Sequence, residues 1–504
     1  MNSKAIVIGT GFGGLGSAVR LRAMGYEVQV VEAGPTAGGR ARVFERDGHI
    51  FDAGPTVITA PYLIEELFTA LGKDMRDYLE LLPVDPFYRV LFPDGTQFDY
   101  VGEEERILDQ IRQINPKDVD GYLRFAAHAK RIFEIGYEGL ADQPFDRVSE
   151  MMRAVPDMIK LESYRSVYNL CSKYIKDENL RQVFTFQPLL VGGNPFNTSS
   201  IYMLIHWLER KWGVFFAKGG TGSIVRALVE VLKDSGVQFA FNSSVEEILI
   251  ENGTAVGVRT TTGETYTADI VVSNADTSTT YTKMIDPKWR KKHTDRAVDR
   301  KRFSMSLFVS YFGTEKQFPD LAHHMIVLGP RYKGLLNDVF NKKILAPDFS
   351  LYLHAPGRSD PSMAPEGKDS FYVLSPVPNQ RSGIDWEQEH DRYHEAILDH
   401  LDQRVMPGLK ANLGPNFAVD PRYFQQDLQS YQGAAFGIEP VLHQSAYFRY
   451  HNKSDDISGL YLVGASTHPG AGVPGVLCSA KVLERVVPRP EHALPLELQA
   501  KTAK

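Results

Sequence analysis

The chain has only two cysteines in 504 residues, Cys171 and Cys478, far apart and without metal-ligand spacing. A disulfide framework or a zinc site is therefore not expected, and no metal ligands are assigned; a reducing cytoplasm fits. There is no basic excess. The 56 Lys and Arg stand against 62 Asp and Glu, a net charge of −6, so no nucleic-acid partner is expected. No stretch reaches the roughly 18 uncharged apolar residues of a spanning helix, and no signal-peptide pattern precedes Lys4. Attachment to a membrane surface stays open, because composition does not report on it. Neither an internal repeat nor a low-complexity tract occurs. What is present is an ordinary globular balance, 43% apolar and 23% charged, on a chain long enough for two or three domains.

The first thirty residues read as strand, glycine turn, helix and strand. Ala5 to Ile8 is a short apolar strand. Gly9-x-Gly11-x-x-Gly14 follows it and opens a helical pattern with Leu15, Val19 and Leu21 apolar and Arg20 and Arg22 polar. Gly25 ends that helix, and Val28 to Val31 form the next strand, closed by Glu32. The first glycine permits the tight turn, the second lets the backbone approach a pyrophosphate, and the third allows helix to pack on strand. Helix-terminal N–H groups face phosphate, and Glu32 can accept from ribose hydroxyls. The pattern fits NAD and FAD equally. Gly38-Gly39-Arg40 follows closely, as a loop passing over a cofactor with an arginine for phosphate, or as a surface turn.

The middle is more helical and aromatic. Amphipathic windows run from about Glu103 to Trp212, interrupted at Pro116, Pro144, Pro156 and Gly192-Gly193. Strand candidates return at Val237 to Phe241, Gly257 to Thr262, Asp269 to Ser273, Ser306 to Phe312, Phe349 to His354 and Phe371 to Leu374. The chain closes with a strand at Gly459 to Gly464, a Gly/Pro-rich loop and a helix; the tail after Val487 reads as loosely ordered. Nucleotide-binding features thus occur at both ends. No second strand–Gly-x-Gly-x-x-Gly–helix unit appears, since Gly219-Gly-Thr-Gly222 lacks the spacing, so no separate NADPH domain is expected.

Glu32 followed by Gly38-Gly39-Arg40 resembles the flavin signature shared by amine oxidases, protoporphyrinogen oxidases and carotenoid desaturases, although Thr36 stands where many members carry a basic residue. The resemblance to bacterial-type phytoene desaturases runs nearly end to end. It is carried by Phe51-Asp-Ala-Gly-Pro-Thr-Val-Ile-Thr59, Leu189 to Phe196, Ser200 to His206, Ala435 to Pro440, Gln444 to Ala446, Leu460 to Ala465, Thr467 to Gly472 and Pro474-Gly-Val476. It implies an α/β fold, with an interrupted Rossmann-type FAD-binding domain, an inserted α+β substrate domain and a helical, membrane-facing region. The expected boundaries are 1–90, 215–300 and 430–490 for the FAD domain, 91–214 for the helical region and 301–429 for the substrate domain.

By motif match, Gly9, Gly11 and Gly14 meet the pyrophosphate and Glu32 the adenosine ribose. Gly38, Gly39 and Arg40 line the phosphate side, and Pro55 and Thr56 lie beside the flavin. Val245 offers a backbone contact to adenine, or is a strand residue in a core. Gly464, Gly472, Val473 and Gly475 approach the ribityl chain and ring. The implied reaction is stepwise desaturation of phytoene, a hydrophobic isoprenoid, toward neurosporene or lycopene, with oxygen or a quinone as electron acceptor. Such a substrate binds by apolar burial. The aromatic centre (Tyr164, Tyr168, Phe184, Phe186, Trp207, Trp212, Phe215 and Phe216) is the candidate channel wall, or plain core.

Glu150 and Arg153, three apart on a helix, match an acid-x-x-arginine of similar desaturases and are the candidate acid–base pair, or an ordinary surface pair. His468 lies beside the C-terminal flavin loop. A lipid-borne substrate implies peripheral attachment to the cytoplasmic side of the membrane. The contact is expected from the basic run Lys288 to Arg302 or from apolar helix surfaces within 150–215. Alternatives are a sister carotenoid desaturase or isomerase, an amine or protoporphyrinogen oxidase on the same scaffold, and a non-catalytic isoprenoid escort.

Overall fold

The computed structural model of the protein describes residues 3–490. Most of the tail predicted to be loosely ordered lies outside the described residues. A five-stranded, wholly parallel sheet forms one layer. Its order is Leu460–Leu462, Ile270–Ser273, Lys4–Ile8, Glu27–Val31, Gln238–Ala240. Ala5 to Ile8 are buried on both faces, as a strand covered by helices requires. Three sequence-distant segments thus supply neighbouring strands, and all their C-terminal ends reach one edge. Ligands settle at such an edge in open parallel sheets.

The helix Phe12–Ala23 follows the first strand. It packs on the C-terminal helix Val473–Val486 and on Thr221–Asp234. Arg20, expected on a polar face, is buried and paired with Glu484 (2.5 Å) and Glu66 (3.3 Å). The C-terminal helix lies where solvent was expected. Gly219 to Gly222 begins the helix Thr221–Asp234, and its first N–H donates to Asp52 Oδ1 (2.8 Å). A carboxylate of the chain occupies the position that a phosphate takes in a nucleotide loop.

A seven-stranded sheet forms the second layer. Its order is Leu413–Val419, Ser306–Thr314, Asp369–Val377, Leu351–His354, His324–Val327, Tyr88–Leu91, Gln97–Tyr100. Only the pairing of His324–Val327 with Tyr88–Leu91 is parallel. The expected helical region 91–214 therefore opens with a strand, Gln97–Tyr100, that belongs to the sheet built mainly from 306–419. Its apolar alternation is too short to separate from a helix start by pattern alone. Every residue of Ser306–Thr314 is buried, because both faces are covered. Phe308 and Phe312 pack toward the helix Trp386–Arg404, and Leu307, Val309 and Tyr311 point the other way.

Helices from Glu104 to Trp212 close the remaining side. Pro156, expected as a break, lies inside the helix Val148–Lys160, which forgoes the one bond a proline N–H cannot give. Cys171 and Cys478 are buried and unbonded. Among the described residues no helix is long and apolar enough to cross a membrane.

Candidate active site

One continuous cavity begins at the C-terminal edge of the parallel sheet and runs between the two layers. At its sheet end, Gly9 adopts φ +88°, a conformation open to glycine. Gly11 then caps the first helix without a side-chain bond, so the helix's leading N–H groups are left for a ligand. The C-terminal helix likewise starts at Gly472 (φ +92°) with no side-chain cap. Two helix N-termini with their positive dipole ends therefore line one space, an arrangement suited to a pyrophosphate. The glycines keep it open. A Cβ on Gly11 would lie 2.8 Å from Asn274 Oδ1, and one on Gly464 2.7 Å from Asn274 Nδ2.

Gly14 does not line the cavity. A Cβ there would come 2.0 Å from the Gly9 carbonyl oxygen, so this glycine lets the helix sit against its own turn rather than meeting phosphate. Glu32 is buried. One of its carboxylate oxygens accepts from the Thr10 N–H (2.8 Å) and hydroxyl, and the other from the Gly34 N–H (2.8 Å). A carboxylate oxygen has two lone pairs, so Glu32 is held in place with capacity left for a ribose. Arg40 is buried on the lining. Its Nη2 donates to Ser430 Oγ (2.6 Å), while Nε has no protein partner. Gly38, Gly39, Pro55, Thr56, Val245, Gly464, Val473 and Gly475 also line the cavity. Thirteen of the fourteen expected cofactor residues thus face one space, and its donors fit a dinucleotide.

Beyond this end the wall turns aliphatic, with Leu189, Leu204, Met305, Leu307, Ile326 and Leu328 among its residues. Of the eight aromatics expected there, only Phe186 lines the cavity. Phe184 packs among Tyr122, Phe125 and His206, Trp212 packs against Tyr62 and Phe133, and Tyr164 is exposed. Glu150 and Arg153 do not reach the cavity either. The Glu150 carboxylate accepts from the Arg147 backbone N–H (3.2 Å) at the helix start, and Arg153 is exposed. Met151, Ala154 and Met158 of that helix are the residues turned inward. His468 lines the cavity, with both ring nitrogens unpartnered. Burial lowers its pKa to about 4, so near neutrality it is a neutral imidazole rather than an imidazolium.

Two lining residues, and one just behind the lining, carried no motif. Asn274, just past its strand, wedges between the first glycine turn and Gly464. Arg449, close behind the lining, is a buried cation. Its Nε donates to the Thr467 carbonyl (3.0 Å), which fixes the 464–470 loop. Glu209 lines the cavity with Oε1 accepting from Tyr88 (2.7 Å) and Oε2 free of any protein partner. Burial pushes its carboxyl up to about 8, so it is neutral at pH 7 and compatible with a hydrocarbon beside it. Its helix Leu204–Trp212 also carries His206, Arg210 and Lys211, so nothing in the local sequence marked this carboxyl as the buried one.

The family model for flavin containing amine oxidoreductases matches residues 12–481. A lycopene-forming phytoene desaturase of Pseudescherichia vulneris is 48% identical over 95% of this chain and 97% of its own length. A neurosporene-forming phytoene desaturase of Cereibacter sphaeroides is 43% identical over 96% and 94%. A solved putrescine oxidase double mutant covers 97% of this chain and 100% of its own, with a TM-score of 0.62 at 13% identity, a likeness of fold alone.

Replacing Gly14 by alanine is expected to force the first helix off its turn, at a cost of about 3 kcal/mol or more. The purified variant should lose most of its flavin absorbance, measured against total protein. Glu209 yields a pH signature. Folding takes up a proton at this carboxyl between the ordinary carboxylate range and about 8. Its stabilising share is therefore complete at acid pH and is lost as pH rises toward 8. Thermal denaturation of Glu209→Gln should lack that decline, and the variant should exceed the wild type at pH 9 by on the order of 2 kcal/mol.

Proposed function

We propose that this chain, which belongs to the flavin-containing amine oxidoreductase family and within it to the phytoene desaturases, uses FAD to remove hydrogen from phytoene, giving more conjugated carotenes such as neurosporene or lycopene. The observation that carries this reading is the continuity of the cavity: glycine turns and helix N-termini at one end pass directly into an aliphatic wall. When bound, FAD would supply the acceptor for hydride from an allylic carbon of the substrate, and a proton lost from the adjacent carbon to solvent would close the new double bond.

The chain's residues do the rest. Leu189, Leu307 and Leu328 hold a hydrocarbon with no polar handle. Burial of about 500 Å² of such a chain gains on the order of 12 kcal/mol before the cost of association. The same side chains exclude water from the reacting carbons. Arg449 and Asn274 hold the two loops on either side of the cofactor. Charge developing on a polyene is delocalised, and Glu150 and Arg153, first expected as an acid–base pair, do not face it.

The cavity also suggests where the substrate enters. The helix Val148–Lys160 turns Met151, Ala154 and Met158 inward, while Val148, Met152 and Ile159 are about 60% exposed on its outer side. Leu442 and Phe448, on turns beside it, are exposed as well. Arg147, Arg153 and Lys160 flank that apolar face. We assign this face to a membrane surface on the cytoplasmic side, with the arginines and the lysine at the headgroups. The basic run Lys288 to Arg302 is less suited. Arg290, Lys292 and Arg302 are engaged with Asp295, Asp455 and Glu439, and Lys301 lies over Tyr450.

Two measurements test these readings. FAD-loaded protein given phytoene in liposomes with oxygen or a quinone should form neurosporene or lycopene on chromatography. Unchanged phytoene, with the flavin instead bleached by a primary amine, would overturn the substrate reading. In flotation with anionic liposomes the wild type should rise with the vesicles. A Val148→Asp/Met152→Asp/Ile159→Asp variant should stay in the aqueous fraction with its FAD content intact, since each apolar side chain contributes about 1 kcal/mol of insertion. A wild type that does not float would overturn the membrane reading.

A further inference from the structure

Behind the cavity wall three histidines meet in a place that the flavin reaction does not use. His324 and His354 are direct cross-strand partners in the seven-stranded sheet, and His323 precedes the first of them. All three are buried, and one ring nitrogen from each lies within 4.8 Å of the others. Their outer contacts are hydroxyls. His323 Nδ1 is 2.6 Å from Ser359 Oγ, and His324 Nδ1 is 2.7 Å from the Tyr352 hydroxyl.

Nε2 of His323, Nε2 of His324, both nitrogens of His354 and Oδ2 of Asp52 have no protein partner. Asp52 Oδ2 stands 3.8 Å from His354 Nε2, while its Oδ1 is held by the Thr221 N–H. With protons on the two Nδ1 atoms, the Nε2 lone pairs are left without donors. Burial also keeps all three imidazoles in the neutral form that ligates metals. A single water can donate only two hydrogen bonds, so it leaves part of the cluster unanswered.

We propose that His323, His324 and His354 bind one divalent transition-metal ion, zinc in the first instance, with Asp52 orienting His354 from outside. An ion central to three nitrogens no more than 4.8 Å apart sits within about 2.8 Å of each. Ring shifts of about 0.7 Å then bring it to ordinary zinc–imidazole distances. The hydroxyls of Ser359 and Tyr352 and the Asp52 carboxylate take the role that outer hydrogen-bond partners play at histidine metal sites. Tyr352 also hydrogen-bonds Thr56 on the cavity lining (2.9 Å). The ion thus braces the wall from behind, at one remove from the substrate.

The test uses the FAD-loaded full chain, produced with zinc in the medium and dialysed against a chelator to strip surface ions. Metal analysis should give about one equivalent of zinc per chain. X-ray absorption at the zinc edge should show imidazole ligation. His354→Gln and His324→Gln variants that retain FAD should hold about tenfold less zinc. If those variants fail to fold, the wild-type absorption spectrum decides alone. A wild type with less than about a tenth of an equivalent of zinc after supplementation would overturn the proposal. So would a spectrum without imidazole scattering, or zinc retained in full by both folded variants.

Discussion

The first helix approaches the turn that precedes it so closely that Gly14 has no room for a Cβ, and the geometry around the phosphate end depends on that approach. It aims the leading N–H groups of the helix at the cavity and brings Gly11 and Gly13 against Asn274. Asn274 in turn touches Gly464, so the second glycine loop takes its place from the first. The C-terminal helix packs along the first helix and brings a second uncapped N-terminus to the same space. Backbone dipoles thereby add to the positive field there. Arg40 is the one cation of the expected set on the lining.

The other half of the cavity follows from strand alternation. In Ser306–Thr314 the odd and even residues serve different cores: Phe308 and Phe312 face the helix Trp386–Arg404, and Leu307, Val309 and Tyr311 face the cavity. Tyr352 and Tyr372 place hydroxyls on the cavity side, and both are tied to Thr56 (2.9 and 2.7 Å). Thr56 lies in the segment expected beside the flavin. The two layers are therefore joined at the seam where cofactor and substrate must meet, by hydrogen bonds that leave no hydroxyl of this trio bare.

The phosphate end was legible because its requirements are local. A strand, three spaced glycines and an acid are contiguous in sequence, and each has one physical reason to be there. The substrate end was not. Whether an aromatic in 164–216 lines a channel or fills a core depends on partners far away in the chain. Phe186 and Phe184 are two residues apart and fall on opposite sides of that divide. Glu150 and Arg153 share a helix as expected, but the helix's rotation turns Met151 and Ala154 inward, and no spacing rule reports rotation. The histidine cluster was invisible for the same reason. His354 is thirty positions from His324 and meets it only through strand register.

The helix Val148–Lys160 shows how burial and exposure can be read together. A surface helix normally offers its apolar stripe to the core and its polar stripe to water. This one has apolar residues on both sides, inward at Met151, Ala154 and Met158 and outward at Val148, Met152 and Ile159. Water penalises the outward set, and this is the observation behind the membrane contact proposed for this face. Under that contact, the inner face of the same helix, which lines the cavity, would stand one helix diameter, about 10 Å, from the lipid. The hydrocarbon would then move from one apolar medium to another without crossing water, with displacement of this helix and the turns beside it, rather than desolvation, as the barrier to entry.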